Sequence, residues 1–425
     1  MADLSVAQIK SKRNVYLILS TVTLLFLGLI YAFSMFAAPM CTVFGYEKSA
    51  VSLTFNIMMI TFCVGAVAGS QIEKFAGVKG TIAVGAILYA IGFIGNAMLG
   101  GSNIMFVYLF YGIFAGFGVG IGYNTVLATT NVWFPDKVGF SSGVLMMGFG
   151  LGSLILGTLS TNLYKGGMDL TLIFMGIGII GGVVILVSGF ILQRPPANIV
   201  ALMAPEKAAS AGDTYDPGDE DAALKTPLFY IYWVWAIIVI AIGLATIGNC
   251  ASDAQAVGWD EGFATLLVGL VSVCNGLARV VIGMIFDKTN VKVTMAVDGA
   301  IGVAATVCII AGFMLGQPVL YVVGAFCCGF CYGGVPVVAS AFARSRFGAK
   351  NYPLNLSLAN FAIVFGSILN LIIQAAVGGA ERYVVFGVLF VFSIIAVLDV
   401  VPFSKMFDKS QKELDARREA HKKAA

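Results

Sequence analysis

Charge is scarce in this chain: Asp, Glu, Lys and Arg make up 11% of its 425 residues, and the single histidine, His421, stands near the C-terminus. Soluble domains carry about a quarter of their residues charged, so a water-bathed globule of this length is excluded. With no histidine elsewhere, an interior imidazole relay and a histidine-ligated metal are excluded too. Strand-like alternation of polar and apolar residues is missing, which argues against a β-barrel. No strand and glycine-rich turn lead into a phosphate-binding GK, and no nucleophile, base and metal set converges. The expectation is therefore a protein that is not an enzyme and that holds no cofactor and no metal. The cysteines fall mostly in apolar runs and read as small packing residues. The C-x-x-C spacing of Cys328 and Cys331 lies in a glycine-rich membrane segment, without the soluble context of a redox or zinc site.

What the chain has in quantity is apolar length: 59% hydrophobic residues, 51 glycines and a mean hydropathy of +0.94. A helix crosses the hydrocarbon core with about 20 residues. Runs of that length recur at 15–38, 50–70, 80–100, 104–129, 139–163 and 171–193, then at 227–250, 262–286, 294–315, 318–342, 352–377 and 383–402. The fold class expected is all-α integral membrane, twelve transmembrane helices in two six-helix bundles. The first bundle is 1–193, the second 227–402, with a polar, acidic linker at 194–226 and a charged tail at 403–425. Two equal halves suggest a transporter built by duplication. The polar, basic start MADLSVAQIKSKRN precedes an apolar run too long for a signal-peptide core, so that run is expected to stay as the first span.

Basic residues fix the expected orientation. With both termini cytoplasmic, Lys48, Lys165 and Arg382 face outside, Arg279 lies within the membrane, and the other 21 of 25 face the cytoplasm. The net charge of +3 comes mainly from loops and tails, which speaks to topology and to a lipid bilayer as partner, with no nucleic acid.

The most telling stretch runs from Gly262 to Lys292 and holds Arg279 mid-run. A guanidinium keeps its proton, and at this depth it costs at least about 2.5–3.5 kcal/mol. Either it is tied to backbone carbonyls at a helix contact, or it binds an anion. Asn275 lies one turn earlier on the same face, within reach of the arginine or its ligand. Asp298 and Asp399, each within about two turns of the cytoplasm by helical count, are expected to pair with loop bases, a proton-carrying role for either being the lesser alternative.

A repeated loop supports the duplication. Gly69, Glu73 and Lys74 follow the second span as Gly283, Asp287 and Lys288 follow the eighth, each a glycine with an acid and a base four and five residues on. Glycine permits close helix approach, and the charged pair can hold neighbouring helix ends in one conformation and release them in another, so these are gating candidates. This arrangement resembles the loop signature of the major facilitator superfamily over essentially the whole chain. In the first copy Glu73 replaces the usual aspartate, and Ala76 displaces the following glycine to Gly77.

Gly116, Gly118, Gly120 and Gly122 lead into Tyr123, then Trp133-Phe134-Pro135-Asp136-Lys137 and the small-residue run from Gly143 to Gly157. This combination resembles the oxalate/formate antiporter family, related to the monocarboxylate transporters. Val138 stands where that family has arginine, which weakens a loop ion pair. The resemblance implies that Arg279, in Asn275-Gly-Leu-Ala-Arg279, holds the substrate carboxylate, with Tyr31, Tyr123, Tyr332 and Asn360 as further cavity contacts and Ser357 as a neutral donor. Pro336 replaces a further family tyrosine, and Ala359 stands where the oxalate exchanger has a lysine. One intramembrane cation leaves a dianion with uncompensated charge, so monoanions are favoured. The expected function is secondary transport of small monocarboxylates by alternating access, as proton symport or anion exchange, in the plasma (inner) membrane and as a monomer. Dicarboxylate exchange of the oxalate type is the alternative within transport, and an anion-sensing membrane receptor the alternative outside it.

Overall fold

The computed structural model describes residues 6–196, 198–204, 216–247, 249–377 and 381–424, and these contain helices and no strand. Inside a bilayer the backbone has only itself to bond to, so each apolar run closes its amides within a helix. The long helices are α1 (Val6–Ala32), α2 (Lys48–Leu99), α3 (Ile104–Asn131), α4 (Val138–Lys165), α5 (Leu170–Ile191), α6 (Pro227–Ile247), α7 (Glu261–Lys288), α8 (Val291–Met314), α9 (Pro318–Phe347), α10 (Tyr352–Val377) and α11 (Arg382–Ala424). Helix α2 is two passes joined at Gly77, whose φ of 66° and ψ of 178° break the helix. Eleven helices thus make the twelve passes expected, six before the linker and six after it. The displaced glycine noted in the first loop is the residue that turns the chain.

The chain divides into two compact units, one of Met1–Asp136 with Val144–Ala204, the other of Lys137–Gly143 with Pro205–Ala425. In the first unit the glycine stripe explains how α3 packs. Gly116 and Gly120 face the first pass of α2, where a Cβ on Gly120 would overlap the Phe62 carbonyl, while Gly118 faces the second pass, its Cβ position 2.5 Å from the Tyr89 amide nitrogen. Residues four apart share a helix face, so alternate glycines open two faces to two neighbours. An aromatic cluster of Phe33, Phe36, Tyr89, Phe93, Tyr111 and Phe174 fills the interior beside them.

The second unit is centred on α9, which has buried residues all round, and on the stacked rings of Phe229, Tyr232 and Phe342. Helix α11 is continuous from the last span into the charged tail, and Phe403, Phe407 and Leu414 are buried there. The polar, acidic linker is seated on this unit over 216–226. Asp221 accepts from Arg346 of α9 (2.7 Å) and Arg417 of α11 (2.9 Å), and Asp219 accepts from the Lys350 amide (2.7 Å). Burial pushes the Asp221 carboxyl up, but the bonds and charges of Arg417 and Arg346 together hold it below its ordinary range. Residues 205–215 of the linker lie outside the described residues.

Candidate anion-binding site

Arg279 lies midway along α7 and is 1% exposed. Two glycines set its depth. A Cβ on Gly333 of α9 would overlap the Asn275 carbonyl, and one on Gly143 of α4 would overlap the Arg279 carbonyl, so both neighbouring backbones close on the turn that carries the guanidinium. Its Nε donates to Asn275 Oδ1 at 3.2 Å, the i, i+4 bond expected from their spacing. That acceptor is a neutral amide, which orients the fork. What this permits chemically is bidentate hold of a carboxylate by a permanently charged group in a low-dielectric setting.

The other expected contacts of the second unit sit on α9 and α10. Tyr332 is 4% exposed and packs its Cβ against Gly243 of α6. Asn360 ends the first segment of α10, Tyr352–Asn360, and is 8% exposed. Ser357, expected as a donor to substrate, points its hydroxyl back into its own helix, 2.8 Å from the Pro353 carbonyl. A buried hydroxyl chain that sequence reading missed links Ser142 to Ser340 (2.7 Å) and Ser340 to Tyr352 (2.6 Å). In the first unit Tyr31 and Tyr123 meet a common ring, Phe149, at 5.4 and 4.7 Å between centroids, and Tyr123 also meets Phe62 at 5.4 Å. Phe149 was the only aromatic besides Phe140 in the run 138–157, and that isolation was the signal that could have singled it out.

The gating candidates have defined partners. Asp287 accepts from the Gly139 and Phe140 amides at 2.9 and 2.7 Å, two of the otherwise unbonded donors at the start of α4, where a negative charge also meets the helix dipole. Gly283 allows this approach, since its Cβ would overlap the Gly139 carbonyl. In the first copy Glu73 is buried and accepts from Arg194 at 2.6 Å, Lys74 donates to Gln71 at 2.8 Å, and the Cβ position of Gly69 is 3.1 Å from Ile121 Cα. Lys288 is exposed at the end of α7. Although Val138 removes one loop cation, Asp136 is ion-paired with Arg13 at 2.7 Å.

One expectation fails. Asp298 does not pair with a loop base: it is fully buried, and neither carboxylate oxygen has a hydrogen-bond partner. Helical counting put it near the cytoplasmic end of its span, but depth along an axis says nothing of which face of α8 it occupies, and it faces α9. Asp399 is half-exposed with Oδ2 also unbonded, and no ion pair to it is found among the described residues.

Residues 228–424 match the family model described as Major Facilitator Superfamily. The oxalate:formate antiporter of Oxalobacter formigenes is 26% identical over 381 residues, covering 87% of each chain. Monocarboxylate transporter 11 of Homo sapiens is 26% identical over 247 residues, 55% of this chain and 48% of that one. Among solved structures, the proton:xylose symporter XylE superposes with a TM-score of 0.73 at 15% identity, over 93% of this chain and 96% of its own, a likeness of fold.

Proposed function

We propose that this chain is a transporter of the major facilitator superfamily that carries small monocarboxylates across the membrane by alternating access, with Arg279 as the carboxylate ligand. The observation that carries the reading is a permanently charged side chain, 1% exposed within a helix apolar enough to span a membrane, oriented by a neutral amide. Such a group is costly unless it has work to do, and a carboxylate matches its fork of donors. The oxalate:formate antiporter and monocarboxylate transporter 11 add support, since both are named for small carboxylates. Asn275 positions the guanidinium, and Tyr332, Asn360, Tyr31 and Tyr123 are the further residues this reading assigns to the substrate.

A single cation favours monoanions. A dianion bound by Arg279 alone keeps one uncompensated charge in a poorly solvated site, at a cost of several kcal/mol. The carrier works as a monomer in the plasma (inner) membrane with both termini cytoplasmic, in keeping with the distribution of 21 of its 25 basic residues to one side. Asp287 and Glu73, with Gly69, Lys74, Gly283 and Lys288, form the cytoplasmic gates.

The test is uptake of labelled formate, acetate, lactate and oxalate into proteoliposomes holding the wild-type protein or Arg279→Gln. Uptake of a monoanion by the wild type is expected, reduced at least about tenfold in the variant, in line with loss of a charge-assisted bidentate contact. Normal transport by Arg279→Gln, or transport of oxalate alone, would overturn the reading.

A further inference from the structure

Tyr332, Gly333 and Gly334, three consecutive residues of α9, touch three different helices. The Tyr332 Cβ packs on Gly243 of α6, Gly333 lies against the Asn275 carbonyl of α7, and the Cβ position of Gly334 is 2.5 Å from Asp298 Oδ1 of α8. The turn that presents the guanidinium and the carboxyl of Asp298 are therefore separated by one residue of a single helix, and neither can shift without the other's wall shifting.

Around Asp298 the interior holds more polarity than it bonds. Both carboxylate oxygens, the Tyr232 hydroxyl and the Trp235 indole nitrogen are buried without hydrogen-bond partners, and Trp235 Nε1 faces the Cβ position of Gly299, the next residue after Asp298. Two donors and one acceptor group are thus buried in this region without bonding to one another. The titratable groups that interact with Asp298 are Tyr232 of α6 and Cys331 of α9. Helix α11 brings the apolar Val397 beside Gly299 and carries Asp399 two residues on. From α7 the charged groups are Arg279 on its membrane turn and Asp287 and Lys288 at its end. No Lys or Arg makes an ion pair with Asp298 among the described residues. An ionised carboxylate in this packing would be a bare buried charge, whereas the neutral acid is tolerated, and the ionised form needs the Tyr232 and Trp235 donors to swing onto it.

We propose that Asp298 is the proton-binding group of the carrier, coupled to the Arg279 anion site through Tyr332-Gly333-Gly334. This rests on the reading of Arg279 as the carboxylate ligand and decides between its two modes. The proton enters from the side of uptake and forms an O–H bond on Asp298 as the anion seats on Arg279. The bond breaks on the opposite side as the anion leaves. Monoanion and proton cross together, with no net charge moved.

Two measurements on the full-length protein separate this inference from the reading beneath it. The first uses whichever of formate, acetate, lactate or oxalate the wild type takes up. With the outside acidic, Asp298→Asn is expected to lose gradient-driven accumulation on the order of tenfold, within the usual range of coupling between two sites. Exchange of internal for external anion is expected to persist, because the amide is the size of the neutral acid. Gradient-driven accumulation at the wild-type level in the variant would overturn the proposal. The second needs no substrate: infrared difference spectra between acid and alkaline pH are expected to show a protonated-carboxyl band in the wild type that Asp298→Asn lacks. A band unchanged by the substitution would overturn it. Should Asp298→Asn not fold, Gly334→Ala, which crowds Oδ1, is expected to move the pH midpoint of that band, and an unmoved midpoint refutes the assignment. If no anion is carried at all, it is the carboxylate reading that falls, and the infrared band still decides the fate of Asp298.

Discussion

Arg382, expected from topology to be an outward loop base, forms with Asp253 a partly buried pair whose disruption should depend on pH in only one direction. Arg382 Nε and NH2 donate to Asp253 at 2.8 and 2.7 Å, and NH2 also donates to the Ala245 carbonyl at 2.8 Å. The pair ties the short helix Cys250–Ala256 to the start of α11, with side-chain exposures of 21% for Arg382 and 4% for Asp253. Breaking such a pair costs about 3–5 kcal/mol because one charge is left buried alone. In Arg382→Gln the orphan is a carboxylate, which can take up a proton. Neutralising it costs about 1.4 kcal/mol per pH unit above its unfolded value near 3.9, so the loss is capped at about 4 kcal/mol at pH 7 and about 1.5 kcal/mol at pH 5. The sign follows from the direction: burial already pushes the Asp253 carboxyl up in the wild type, against the pull of Arg382, and removing the arginine raises it further. The folded state then binds more protons than the unfolded one, so the penalty grows with pH until the folded-state midpoint is passed. In Asp253→Asn the orphan is a guanidinium that cannot neutralise. It keeps the Ala245 bond and some solvent, so the loss is about 2–3 kcal/mol and indifferent to pH. Melting of the purified protein in detergent at pH 5 and pH 7, each variant referred to the wild type, separates the two, at roughly 1–2 °C per kcal/mol for a chain of this size. Equal losses for Arg382→Gln at both pH values would refute the reasoning.

Two further outcomes follow from packing and charge. Gly120→Ala places a methyl on the Phe62 backbone carbonyl and should cost about 1–3 kcal/mol or more in thermal stability, whereas Gly122→Ala meets only the flexible end of Leu27 and should cost less; equal melting points would show that α3 is not clamped there. Ala359→Lys, at a fully buried site on α10, supplies the second cation that a dianion needs, so competition of oxalate against formate for uptake should improve by on the order of tenfold; unchanged competition would refute the charge count.

The number of passes and the two halves were legible because the bilayer imposes a one-dimensional rule, about 20 apolar residues per crossing, that a sequence obeys locally. Arg279 was legible for the same reason, as a charge where hydropathy forbids one. The break at Gly77 was foreshadowed by the displaced glycine of the first loop. Contacts between segments far apart in sequence were not legible. The partner of Asp253 is 129 residues away, and the acidic linker read as polar chain because Asp221 meets Arg346 and Arg417 only through α9 and α11. Asp298 shows the limit most clearly: a count of residues gives depth in the membrane, while the face a side chain occupies depends on how α8 is rotated against α6 and α9.

The sequence by itself determined the class of molecule, its passes, its repeated Gly-acid-base loop and its deep arginine, because each of these is set by composition and spacing within a single segment. Tertiary structure alone decided which glycines bring α4 and α9 onto the turn of Arg279, that Phe149 joins Tyr31 to Tyr123, and that Asp298, Tyr232 and Trp235 are buried with polar atoms unbonded. Those are facts of helix rotation and close approach, and they depend on the packing of several segments at once.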